Sequence, residues 1–341
     1  MILVTGGTGL VGSHLLYELT SSDFNVKAIK RKTSSLENLK QCFEYYTKDY
    51  KKLLNKIEWV EADVSDKDSL KEALKNVKIL YHCAAMVSFN PQDKEKMRNI
   101  NIQGTKNIVE LCTENEIRLC FVSSIASLGD YNYVKGKEFQ NDPVDEFTSL
   151  NPDSPHSEYS ITKFKSEEIV WEGINNGLNA VIVNPSVILG FGHWNTGSSK
   201  LITMAAKGVS FYTKGRTGYV DVRDLVKAMH LLTISNIKSD RFLLSAGNYS
   251  YQELFCLISK GMGMKEPKYY ATPFITGIAW RIEKVKEIFS GKKASLTKET
   301  ARSSHKCSLY NGNKIKNSIN GFQYRAFGES IEDICKAYKK Q

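Results

Sequence analysis

A tyrosine and a lysine stand four residues apart in Tyr159-Ser160-Ile161-Thr162-Lys163. In a helix that spacing places both side chains on one face. A phenol titrates near about 10, a poor match to neutral pH. A neighbouring ammonium favours phenolate by about 1–3 units, which brings the group nearer the range where proton transfer is efficient. Such a pair can give a proton to an oxygen or take one away. Upstream, Phe121-Val122-Ser123-Ser124 reads as a strand ending in hydroxyls, and ligand sites of open α/β sheets lie at strand ends. A second chemistry is written at the N-terminus. Thr5-Gly6-Gly7-Thr8-Gly9-Leu10-Val11-Gly12 follows a short apolar strand and opens a helix. Gly6 permits a tight turn, Gly9 lets the backbone approach a pyrophosphate, and Gly12 lets helix and strand pack closely. The free N–H groups and dipole of the helix start favour that anion.

The elements needed to position these residues are legible as alternating strand and helix. Apolar or β-branched runs lie at Ile2–Val4, Val26–Ile29, Ile57–Val60, Val77–Cys83, Leu119–Val122 and Ala180–Val183. Helical patterns separate them at Leu10–Thr20, Asp66–Leu74, Met97–Cys112 and Glu158–Ile174. Buried strands with helical crossovers predict an α/β, doubly wound parallel sheet of the Rossmann type. Ser34–Lys56 predicts an inserted polar helix or two. Beyond Pro185 glycine-marked loops lead to a strand over Tyr219–Val222, a helix over Asp224–Ser235 and a strand over Arg241–Ser245. Helices follow over Tyr251–Lys260, Pro273–Phe289, Thr297–Ser303, Gly312–Ser318 and Ser330–Lys339. The expectation is a nucleotide-binding domain over 1–185 and a smaller, mostly helical substrate lobe over 186–341, interleaved around 219–245.

Composition bounds the setting. The 341 residues are 41% apolar and 25% charged, a globular balance that excludes wholesale disorder. No apolar run reaches the roughly 18 residues of a membrane span, and the glycine turn follows the first strand too closely for a secretory leader; a cytoplasmic setting is expected. The seven cysteines are scattered and never spaced C-x-x-C, so no metal site is expected and they read as small apolar residues. Residues 1–250 hold 30 Lys+Arg against 29 Asp+Glu, whereas 251–341 hold 17 against 8. A basic last third suits a solvated face, an anionic substrate or a membrane surface; no nucleic-acid motif accompanies it.

The Gly-x-x-Gly-x-x-Gly spacing resembles the nucleotide turn of the extended short-chain dehydrogenase/reductase superfamily, with Thr8, Leu10 and Val11 completing it. At the second strand end no acid stands ready for the ribose hydroxyls of NAD. Arg31 can instead pair with a 2′-phosphate, and Val-x-Ala-x-x-Arg is similar to NADPH-using members, so NADP(H) is preferred over NAD(H). Asp63-Val64 resembles the family's adenine-contacting pair, although Asp63 would also serve to cap the next helix. His82-Cys83-Ala84-Ala85 resembles a stretch whose small residues Ala84 and Ala85 let the cofactor lie close, with His82 as a packed core histidine. Asn101 in Asn-x-x-Gly-Thr is expected to brace the active-site helix or a water. Ser123-Ser124-x-x-x-x-Gly129 matches the family's serine motif. The resemblance implies that Ser124 stabilises a substrate oxygen, Tyr159 donates the proton, and Lys163 lowers the Tyr159 pKa and holds the nicotinamide ribose. Asn184-Pro185-Ser186-Val187 resembles the turn at the nicotinamide, with Pro185 and Val187 contacting it.

Two branches compete. Sugar-nucleotide epimerases and dehydratases carry an Arg-Asp pair where Thr217-Gly218 stands here; Arg216, one residue early, is its candidate substitute, and Glu158 is the acid a dehydratase would need. Arg31 and the Asn184–Gly190 stretch look like the dihydroflavonol-reductase and 3β-hydroxysteroid-dehydrogenase branch, implying reduction of a small-molecule ketone or aldehyde. Met86, Phe89, Phe191, Trp194 and Tyr212 are candidates for an apolar substrate pocket. A non-catalytic NADP-binding sensor is a third reading, and a homodimer is compatible with all of them. Over 273–293, Ile275, Ile278, Ile282, Val285 and Phe289 form an apolar stripe among Arg281, Lys284, Lys286, Lys292 and Lys293. Packing against the second lobe is the expectation; covering the substrate cleft or lying on a membrane are the alternatives.

Overall fold

A computed structural model describes residues 1–129, 143–150, 156–290 and 296–340. Its first part runs β1 (Ile2–Thr5), α1 (Leu10–Ser21), β2 (Val26–Lys30), α2 (Glu37–Tyr46), α3 (Tyr50–Leu54), β3 (Ile57–Glu61), α4 (Lys67–Ala73), β4 (Ile79–His82), α5 (Lys94–Arg98), α6 (Gly104–Glu114), β5 (Arg118–Val122), α7 (Glu158–Asn175) and β6 (Ala180–Pro185). There follow β7 (Val187–Leu189), α8 (Lys200–Ala206), β8 (Phe211–Tyr212), β9 (Arg216–Asp221), α9 (Val222–Ile234), β10 (Asp240–Leu244), β11 (Gly247–Ser250), α10 (Tyr251–Met262), β12 (Tyr269–Tyr270), α11 (Pro273–Ser290), α12 (Lys298–Ser303), α13 (Lys314–Ser318) and α14 (Phe327–Tyr338). Lys292 and Lys293, and the side chain of Phe289, lie outside the described residues.

Seven parallel strands form the central sheet in the order β10-β6-β5-β4-β1-β2-β3. Strands buried on both faces read as unbroken apolar runs because helices cover both sides. One face packs Leu15, Leu16, Phe43, Leu225 and Met229 from α1, α2 and α9; the other packs Leu70, Ile108, Leu111 and Val170 from α4, α6 and α7. The strand order reverses between β1 and β4, and a doubly wound sheet opens its ligand crevice there. The glycine turn leaves β1 at that point. β10 comes from beyond residue 185 yet pairs in register with β6, Phe242 opposite Val183.

A small sheet, β11-β9-β7, and the ribbon β12-β8 complete the architecture. A third core of Leu254, Ile258, Ile331 and Ile334 joins α10 to α14. The helix expected over Met97–Cys112 is interrupted by a π-turn at Asn99–Gln103. Such bulges recur at functional sites, and this one carries Asn101. The apolar stripe of α11 departs from its expected packing: Ile275, Ile278, Ile282 and Val285 are 41–51% exposed.

Candidate active site

The turn after β1 is built for close approach. Gly6 holds φ +67°, and a side chain there would press on the Ala84 backbone. A side chain at Gly12 would collide with the Gly6 carbonyl. Gly9 caps α1 in extended geometry without a side-chain partner for the helix N–H groups. Thr8, Gly9, Leu10 and Val11 are not buried. The first turn of α1 thus offers undersatisfied donors at an open surface, which fits a pyrophosphate.

Arg31 follows β2 and Asp63 follows β3, so adjacent strand ends bring them together. Burial pushes the Asp63 carboxyl up, but hydrogen bonds from Ser65 and the nearby Arg31 charge outweigh it and hold the group below its usual value. The Ser65 hydroxyl donates at 2.6 Å and its amide at 2.9 Å. Asp63 does not cap α4; Asp66 does, accepting from the Asp68 and Ser69 amides. Val64 is buried, and its carbonyl accepts from Asn107 Nδ2 at 3.0 Å.

Past β4, the Ala84 amide donates to Thr5 Oγ1 at 3.1 Å, leaving the Thr5 hydroxyl to face His82 Nδ1 at 2.7 Å. Burial drives the His82 pKa down to about 3, so this imidazole is a neutral brace. Asn101 accepts from the Met86 amide at 2.7 Å and donates to the Met86 carbonyl and to Thr162 Oγ1. It clamps the loop after β4 to α7, the helix that carries Tyr159.

Ser157 caps α7 by accepting from the Ser160 amide. Tyr159 and Lys163 follow on one face. Ser124, at the end of β5, accepts from the Ala126 amide at 3.1 Å and is hydrogen-bonded to Tyr159. Burial pushes the Tyr159 phenol above its ordinary value, and the Ser124 hydrogen bond opposes that. The expected depression by Lys163 is absent from this balance. Lys163 Nζ instead donates to the Val122 carbonyl at 2.7 Å and sits 4.7 Å from the Phe121 ring centroid. Burial brings its pKa down to about 8, against the opposing pull of Glu167 and then Cys83.

Glu167 escaped the sequence reading. It lies one turn beyond Lys163 and is buried. Its Oε2 accepts from Ser123 Oγ at 2.6 Å, Ser127 Oγ at 2.7 Å and Asn184 Nδ2 at 2.7 Å; Oε1 meets Arg241 of β10 at 3.0 Å. Ser123 and Ser127 bracket Ser124, so this carboxylate holds the serine turn from below. The signal was spacing: Tyr159, Lys163 and Glu167 recur every four residues. Glu167→Gln keeps the shape and removes the charge. Lys163 should then lose its proton at lower pH than about 8. Arg241 would keep its hydrogen bond to the Glu146 carbonyl, and loss of the charge pair should lower the melting temperature. Mass-spectrometric acetylation of Lys163 against pH, with a thermal melt, measures both.

Glu158 is turned toward α5, paired with Arg98 at 2.5 Å and Lys94 at 3.3 Å. Arg216 is engaged by Glu253 at 3.3 Å and the Asn248 carbonyl at 3.2 Å. Pro185 ends β6 and Val187 begins β7, so their backbone crosses between the two sheets. Among the aromatic candidates Phe89 approaches the site, its ring 6.4 Å from that of Tyr159. Met86 borders it on the Asn101-clamped loop. Tyr212 pairs with Tyr270 at 6.0 Å in the β8–β12 ribbon. Phe191 and Trp194, expected in the pocket, lie in the third core, where Phe191 packs on His14 and Tyr45 and Trp194 on Tyr338. Among the described residues no cluster of His, Cys, Asp or Glu could hold a metal ion, and no helix is long and apolar enough to cross a membrane.

A doubly wound sheet with a glycine turn at its switch point, a serine turn after β5 and a Tyr-Lys pair on α7 is an arrangement suited to a nucleotide-dependent oxidoreductase. Residues 2–241 match the NAD dependent epimerase/dehydratase family. The chain belongs to that family, within the extended short-chain dehydrogenase/reductases, and is an NAD(P)-dependent oxidoreductase. A dihydroflavonol 4-reductase of Solanum lycopersicum is 26% identical, covering 86% of this chain and 76% of its own. The crystal structure of gox2253 superposes with a TM-score of 0.79 at 25% identity, covering 100% of this chain and 98% of its own. The UDP-glucose 4-epimerase of Thermus thermophilus in complex with NAD shares the fold, with a TM-score of 0.73 at 18% identity over 99% of this chain and 98% of its own.

Proposed function

We propose that this chain is an NADP(H)-dependent reductase that turns a bulky apolar ketone or aldehyde into an alcohol, with Tyr159 as proton donor. The observation that carries the reading is Arg31 beside Asp63 at the strand ends, where an acid for the ribose hydroxyls is missing. Gly6, Thr8, Gly9, Leu10, Val11 and Gly12 would hold the pyrophosphate, Arg31 the 2′-phosphate, and Asp63 and Val64 the adenine. Ala84, Ala85, Pro185, Val187 and Lys163 would hold the nicotinamide half. When bound, the nicotinamide supplies hydride. The chain's own work is on the oxygen: Ser124 stabilises the developing negative charge and Tyr159 delivers the proton. Met86 and Phe89 would contact substrate near Tyr159, with Tyr212 as an outer candidate. Arg216 faces Glu253 and Glu158 faces Arg98 and Lys94, contacts that favour the reductase reading over the nucleotide-sugar and dehydratase readings. The similarity to a dihydroflavonol 4-reductase supports carbonyl reduction.

The test is cofactor consumption over a panel of ketones and aldehydes beside nucleotide sugars. Stoichiometric NADPH oxidation with a carbonyl compound is expected. Tightly retained NAD, with interconversion of a UDP-sugar and no net NADPH use, would replace this reading by an epimerase; cofactor binding without turnover of any compound would favour a sensor. NADPH should bind at least about tenfold tighter than NADH, because an Arg–phosphate pair of about 1.4 kcal/mol or more serves only one of them. Arg31→Asp should erase that preference, and a fluorescence titration of both cofactors measures it.

A further inference from the structure

The helix α11 has two faces of opposite character. Inward, Thr276 is buried with its hydroxyl 2.9 Å from His305 Nε2, and Trp280, Glu283 and Glu287 are half-buried. Outward, Phe274 is 76% exposed, and Ile275, Ile278, Ile282 and Val285 continue the same stripe. At about 100° per residue, these side chains occupy one arc opposite Thr276. Arg281 and Lys284 fall along one edge of that arc and Lys286 along the other, all three exposed. The acids of the helix, Glu283 and Glu287, are half-buried on the inner side, where Glu283 accepts from Lys286 at 3.0 Å. In the ribbon that precedes α11, Phe211 and Tyr269 are 51% and 61% exposed, with ring centroids 5.6 Å apart, beside exposed Lys268.

We infer that the outer face of α11 docks on an anionic lipid bilayer, lying in the interfacial plane with its apolar stripe among the acyl chains and Arg281, Lys284 and Lys286 at the headgroups. A stripe of large apolar side chains flanked on both edges by basic residues is the arrangement of an interfacial helix, in which long cationic side chains keep their stems in the apolar layer and their heads in water. Aromatic residues such as Phe211 and Tyr269 suit the boundary region. Charge selects this occupant over a second copy of the chain. Two copies paired along the stripe would bring like basic edges together, whereas anionic headgroups neutralise them. The surplus of 17 Lys+Arg over 8 Asp+Glu in residues 251–341 acts in the same sense. This surface does not depend on which substrate the active site takes.

Flotation of the full chain with vesicles tests it. Binding to phosphatidylcholine–phosphatidylserine vesicles should exceed binding to pure phosphatidylcholine by at least about tenfold and should weaken as salt is raised. Ile278→Asp with Ile282→Asp should cut binding to the mixed vesicles at least about tenfold, because charges cannot enter the acyl layer. Both positions are exposed, so the melting temperature and NADPH affinity should be unchanged. Arg281→Glu with Lys284→Glu should remove the preference for phosphatidylserine. Equal binding to both vesicle types would overturn the inference. So would a chain that ignores vesicles and forms dimers by light scattering, with the aspartate variant monomeric.

Discussion

Tyr159→Phe should bind NADPH like the parent and turn over at least about 10²-fold more slowly, the scale of a lost general acid. The substitution removes one oxygen from a side chain hydrogen-bonded to Ser124, while α7 stays capped by Ser157. The raised phenol pKa bears on pH dependence. A proton donor must be loaded, and burial keeps Tyr159 protonated to higher pH than a free phenol. The donor is thus available for reduction at neutral pH, and the rate of alcohol oxidation, which needs the phenolate, should gain as pH rises. Lys163 titrates earlier, near about 8. An alkaline limb in kcat/KM close to that value is expected if the ammonium is needed, because its charge is lost as pH rises through its folded-state pKa. Steady-state kinetics of the Phe variant on a true substrate, with cofactor affinity measured separately, checks the assignment; parental turnover would remove Tyr159 from the role.

What was legible in the sequence was local. The glycine turn, the strand runs and the Tyr159–Lys163 pair each occupy a few consecutive residues, and helical or extended period orders their side chains. What escaped depends on partners far along the chain. Beyond its spacing, Glu167 carries no local signal of its role, which depends on β10 placing Arg241 beside it, 74 residues away. The strand at Val187–Leu189 has too few residues to signal itself and exists because β9 pairs with it. Phe191 and Trp194 stand undecided between pocket and lobe core for a related reason: an aromatic after a strand end reads the same whether it lines a cleft or fills a lobe. Only the packing of Tyr45 and Tyr338 against them decides. The outward stripe of α11 is the converse, a helix whose periodicity was plain but whose apolar side does not face the lobe.

The glycines at 9 and 12 serve different ends, and substituting each by alanine should separate them. At Gly12 an added Cβ would sit 2.7 Å from the Gly6 carbonyl carbon and 2.8 Å from Gly7 Cα. Both neighbours are backbone, so relief requires the turn to move. Overpacking of this kind costs roughly 1–3 kcal/mol, more than the helix preference for alanine over glycine, about 1 kcal/mol. Gly12→Ala should therefore lower the melting temperature and, by distorting the cradle, weaken NADPH at least about 10²-fold, some 2.7 kcal/mol. At Gly9 the same Cβ would meet only the Gly6 carbonyl oxygen, at 3.3 Å. The φ of −90° suits any residue. Folding does not demand glycine there; the close approach of an anion does. Gly9→Ala should keep the parental melting temperature and still lose at least about tenfold in NADPH affinity, about 1.4 kcal/mol. Calorimetric melts beside cofactor titrations decide the matter. A Gly9→Ala protein that binds NADPH like the parent would mean that the turn does not cradle the pyrophosphate.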